Sequence, residues 1–129
     1  MRHFTVDEAN ALLPMLTPVL ESMRDLHARL MEAAVAVRDF EGRASQNGHG
    51  EGSQALLPQY DLRQIHADIQ ERVRFLHELG CVVKDIEHGI VDFPTRMNGQ
   101  DVYLCWRLGE EQVSHWHDVD SGFAGRRPL

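Results

Sequence analysis

The sequence predicts an α+β fold: a long antiparallel helical hairpin packed on a small antiparallel sheet of three or four strands. Three observations predict it. Apolar residues recur at helical spacing over residues 5–40 and again over 61–79. After Gly80 the period shortens to that of strands. Asn98-Gly99, the pair favoured in a tight hairpin turn, then separates two β-type runs.

The first helix has a clear start. Thr5-Val6-Asp7-Glu8 is a capping box, with Phe4 placed as a staple and Asp7 and Glu8 suited to the positive end of the helix dipole. Its apolar stripe runs Ala9, Leu12, Leu13, Leu16, Leu20, Met23, His27, Leu30, Ala34, Val37. Pro14 and Pro18 each remove an amide donor, so a kink is expected there, or a short helix followed by a second starting near Pro14. Residues 41–60 are expected to form a flexible loop, rich in Gly and polar residues over 41–55. The second helix carries Leu62, Ile65, Ile69, Val73, Leu76 and Leu79 on one stripe and ends at Gly80, a natural cap.

Residues 81–107 read as a meander. Val82–Ile86 and Ile90–Phe93 flank His88-Gly89, and Asp101–Arg107 follows the Asn98-Gly99 turn. Gln112–Trp116 is either a fourth strand or a short helix, and the tail from Asp120 is expected to be irregular. On the last strand Val102, Leu104 and Trp106 share one face, Tyr103 and Cys105 the other. Helices cover only one side of such a sheet. The second face therefore needs cover, from the tail with Trp116 and Phe123 or from another subunit, and a homodimer is expected on this ground.

Length and composition narrow the function. The chain has 129 residues, 43% of them apolar and 26% charged, so residues 1–129 are expected to form a single domain with its own core. A net charge of −7 argues against a nucleic-acid partner. No apolar run suits a membrane span, and the N-terminus does not read as a secretion signal. Cys81 and Cys105 are too few for a disulfide scaffold, which fits a reducing cytoplasm.

Several segments resemble one family. They are Phe4-Thr5 with Ala9-Asn10 and Leu12-Leu13-Pro14; Gly80 with Lys84-Asp85; Gly89 with Val91–Pro94; Cys105–Glu110; and Trp116-His117 with Gly122, Gly125-Arg126 and Pro128. On these the chain resembles the domain-of-unknown-function family 2203. The combination Cys-Trp-x-x-Gly-Glu with Trp-His is the most specific part. The resemblance implies a stand-alone cytoplasmic bacterial protein and carries no activity with it.

Eight histidines are the main chemical signal. His27 takes an apolar position on the first helix and is expected to point inward, as a core histidine or as a ligand. His66 and His77 share a face of the second helix, about 16 Å apart, and read as boundary residues. His115 and His117 point the same way if their segment is extended. Asp92, between Val91 and Phe93, can pair with Lys84 or Arg126. Cys105 reads as a buried inert thiol.

Two functional readings follow. The first is a cytoplasmic binding or interaction protein, homo-oligomeric and without catalysis. The second is a small metalloprotein holding zinc or iron through His27, Asp92, Glu110 and His117, with hydrolytic or redox chemistry.

Overall fold

A computed structural model describes residues 2–47 and 61–129. Helix α1 spans Val6–Asn47 and starts at the expected capping box. The Thr5 hydroxyl accepts from the Glu8 amide and the Glu8 carboxylate from the Thr5 amide, both at 3.0 Å. Pro14 and Pro18 lie inside this one continuous helix and do not divide it. Both are exposed, off the buried stripe of Ala9, Leu13, Leu16, Leu20 and Met23. The helix also runs past Phe40, where the loop was expected, to Asn47. Glu41, Arg43, Ala44 and Gln46 are good helix formers, and a single glycine costs only about 1 kcal/mol. The rest of the expected loop, residues 48–60, lies outside the described residues.

Helix α2 spans Leu62–Glu78, capped by the Asp61 carboxylate on the Gln64 amide. It ends in a Schellman motif: the Gly80 amide donates to the His77 carbonyl and the Cys81 amide to the Leu76 carbonyl. α2 packs against α1 through Ile65, Ile69 and Leu76. Past Met23 the next fully buried residue of α1 is Ala33, not Ala34, and Leu26, His27 and Leu30 are each half-buried. His27 is therefore half-buried rather than in the core.

The strands are β1 (Val82–Asp85), β2 (Ile90–Met97), β3 (Gln100–Arg107), β4 (His115–Asp118) and β5 (Arg127–Pro128). They form one antiparallel sheet in chain order. It therefore has five strands, not three or four. The extra one is a two-residue pairing in the tail, with the Leu129 amide on the Ser114 carbonyl, too short to leave a period in the sequence. A single-turn 3₁₀ helix, Phe123–Gly125, precedes it and lies against β4. At the β2–β3 turn Asn98 and Gly99 both have positive φ, 53° and 79°, as a type I′ hairpin requires.

Strand alternation gives the sheet two unlike faces. Val91, Phe93, Leu104, Trp106 and Trp116 face the helices, packed with Phe4, Leu13, Leu16, Leu20, Met23 and Leu76. Trp116 therefore covers the helix side, not the second face. Phe4 meets Phe93 edge-on at 5.3 Å, and its backbone bonds Pro94 and Thr95 of β2 where β1 has already ended. The opposite face carries Asp92, Tyr103, Cys105 and His117, by the registers Asp92↔Cys105 and Tyr103↔His117. Among the described residues no helix is long and apolar enough to cross a membrane.

The turn from β1 to β2 depends on Gly89. Its φ is +66°, and an added Cβ would stand 2.6 Å from the Leu108 Cβ. Gly89→Ala should therefore destabilise the chain by about 1–3 kcal/mol, from backbone strain and overpacking together. Urea denaturation measures this, and an unchanged midpoint would contradict the account.

Candidate metal centre

Asp92 is the residue that the sheet handles least easily. It sits mid-strand in β2 with no solvent exposure. Directly across the ladder is Cys105, and one strand further His117, at 0% and 1% exposure. A carboxylate oxygen, the thiol sulfur and an imidazole nitrogen from these three residues all lie within 4.8 Å of one another. His117 Nε2 is 2.8 Å from Asp92 Oδ2, a bond that reaches across β3.

The proton inventory of the pair follows from its partners. His117 Nδ1 lies 2.7 Å from the Asp118 carbonyl oxygen, which can only accept, so Nδ1 carries a proton. Nε2 then faces Asp92 Oδ2, and one proton lies between them. Burial pushes the Asp92 carboxyl above its usual range, against the bond and charge of His117, which favour ionisation. Lys84 adds a weaker pull, its Nζ 3.9 Å from Oδ2. Asp92 Oδ1 is buried without a hydrogen-bond partner. The Cys105 thiol across the ladder is a weak donor, and its bonding to the Asp92 carboxylate favours ionisation less than His117 does. Burial, then the neighbouring Asp92 carboxylate, push Cys105 up to about 12, so it is no activated nucleophile.

Other groups enclose the cluster. The Tyr103 ring stands 5.5 Å from His117, and the Lys84 ammonium lies 4.8 Å from the Tyr103 ring centre. On the tail side, Arg107 and Arg126 both approach the Phe123 ring. The middle of the second sheet face is thus filled from within the chain.

Of the four expected ligands, the structure brings together Asp92 and His117. Glu110 is committed elsewhere: its carboxylate accepts two bonds from Arg126, at 3.0 and 2.7 Å, and one from the Arg107 amide at 2.7 Å. The Trp106 indole donates to the Glu110 carbonyl at 3.0 Å. The Trp-x-x-Gly-Glu segment is therefore a self-bonded turn that grips the tail. His27 lines a groove with Val73, Val83, Lys84, Asp85 and Glu87, apart from the cluster. His115 bonds the Ser114 hydroxyl, and His66 and His77 are exposed.

Cys105 is the ligand-type residue that the sequence reading left aside. The signal was present. A tight Asn98-Gly99 hairpin fixes the register of its two strands, and Met97 opposite Gln100 sets Asp92 opposite Cys105.

A family model described as "Uncharacterized conserved protein (DUF2203)" matches residues 2–129. The chain belongs to the DUF2203 family. The match takes in the whole cluster, the Glu110–Arg126 pair and both helices. No curated protein and no solved structure matches this DUF2203 chain.

The Glu110 clamp has a definite pH signature. Burial opposes ionisation, but the Arg126 bonds and the Arg107 amide outweigh it and hold the carboxyl below its usual 4.5. A depressed carboxylate stabilises the fold above its unfolded pKa and loses that contribution as pH falls through the folded one. Glu110→Gln should cost about 1.5–3 kcal/mol at pH 7 by urea denaturation. The gap from wild type should close as the pH is taken below 4.5. A gap that stays constant with pH would mean that the charge on Glu110 contributes nothing.

Proposed function

We propose that this chain binds a transition-metal ion of the zinc or iron class through Asp92, Cys105 and His117. The observation that carries the proposal is the fully buried Asp92 carboxylate, its Oδ1 without a hydrogen-bond partner, clustered with a thiol and an imidazole. An unpaired buried acceptor costs about 1–3 kcal/mol and calls for a reason. The donor chemistry supplies one. One oxygen, one sulfur and one nitrogen suit a borderline-soft cation and not magnesium or calcium. The bond from Nδ1 to the Asp118 carbonyl is the kind of outer bond that fixes a ligand imidazole and leaves Nε2 for a metal.

Charge and size agree with this reading. A divalent ion with one carboxylate and one thiolate leaves the buried site neutral once the thiol proton and the proton between Asp92 and His117 have passed to solvent. Donors around a tetrahedral ion at bond lengths of about 2.0–2.3 Å stand roughly 3.3–3.8 Å apart. The present separations run from 2.8 Å up to at most 4.8 Å, so side-chain shifts of about an ångström suffice. The proposal concerns binding and assigns no turnover, because the donors lie within the protein.

The test is metal content of untagged protein purified without chelator, followed by cobalt(II) titration. Near-stoichiometric zinc or iron is expected, with a thiolate-to-cobalt absorption band on titration. Cys105→Ser should abolish the band. Asp92→Asn keeps a donor for His117 but loses the anion. It should weaken binding by more than the roughly 10–100-fold that an outer-shell change costs. Protein that carries no metal and gives no cobalt band overturns the proposal.

A further inference from the structure

We infer that Lys84 is the gate of this metal site: its ammonium stands in for the cation at Asp92 and leaves when a metal enters. The inference rests on the metal-binding reading above. Two independent observations place Lys84 in that role.

The first is backbone geometry. Val83 pairs with Val91 and Asp85 with Ile90, so two steps along β1 match one step along β2. Lys84 is the residue left over, a β-bulge on an edge strand. A bulge re-aims a side chain that regular pairing would fix. Here it sends Nζ across the sheet face to 3.9 Å from Asp92 Oδ2 and over the Tyr103 ring. The side chain is 42% exposed while Asp92 is wholly buried, so Lys84 connects the closed cluster with solvent.

The second is residue type. Lys84 is the only lysine among 13 lysines and arginines in the chain. Arginine would grip a carboxylate with two parallel bonds, as Arg126 grips Glu110. A lysine is a point charge on a flexible stem and releases more readily. At 3.9 Å its contact with Oδ2 is a charge contact beyond hydrogen-bond range, and Oδ1 is left free.

Cobalt(II) binding to wild type, Lys84→Met and Lys84→Arg tests the gate. Methionine keeps an apolar stem and removes the charge. It should bind cobalt at least about tenfold more tightly and load faster, since two like charges roughly 4 Å apart no longer compete. Arginine should load more slowly than wild type. A second measurement uses the native chain alone: an amine-acylating reagent should label Lys84 several-fold faster in the cobalt-loaded protein than in the metal-free one. Equal cobalt affinity and loading in wild type and Lys84→Met, with unchanged labelling, overturns the gate while leaving the metal site intact. No cobalt bound by either protein overturns the metal site itself, and the gate with it.

Discussion

A carboxylate with no exposed surface in the middle of a sheet has to be compensated from inside the protein, and much of the lower half of this chain is arranged around Asp92. Its strand neighbours, Val91 and Phe93, face the helices and lie at the bottom of the apolar core. Asp92 therefore cannot turn toward water without unseating them. Compensation comes sideways along the sheet: Cys105 from β3, His117 from β4, Lys84 from the bulge in β1. Each strand next to β2 or one beyond it supplies one group. The order of the strands is thus also the order in which the cluster is assembled.

The two faces of the sheet obey different physics. On the helix side, burial of Phe93, Leu104 and Trp106 against Leu13, Leu16 and Leu20 supplies non-directional apolar stabilisation, and packing tolerances set the geometry. On the other side the buried groups are polar, so directional bonds set the geometry and an unmet partner is costly. His117 Nδ1 finds the Asp118 carbonyl and Nε2 finds Oδ2, yet Oδ1 finds nothing. A fully satisfied network would read as a structural cross-link between strands. The shortfall at one atom is what separates this cluster from that description.

The helices and turns were legible in the sequence because their signals are local. Thr5 and Glu8 bond each other, Asp61 bonds Gln64, and Gly80 closes α2, all within a few residues. The long-range site was legible only in part. Asp92 and His117 stood out by type and position. Glu110 looked like a ligand because a sequence shows a carboxylate but not the arginine sixteen positions on that neutralises it. His27 followed a helical stripe whose full burial stops at Met23 and returns only at Ala33. β5 escaped because two residues carry no period.

The Glu110 clamp and the Asp92 cluster are joined by one side chain. Arg126 holds Glu110 with both arms of its guanidinium, and its charge and bonding also oppose the burial that raises Cys105. The tail therefore does more than cover the sheet. By fixing Arg126 it sets part of the electrostatic surroundings of the thiol. The short segment Cys105–Glu110 contributes one residue to the cluster and one to the clamp, five positions apart, and Gly109 with φ +106° turns the chain between them. This accounts for so specific a motif on an otherwise ordinary strand. Cys105 answers to the buried carboxylate, Trp106 to the core, and Glu110 to the arginine that links the two.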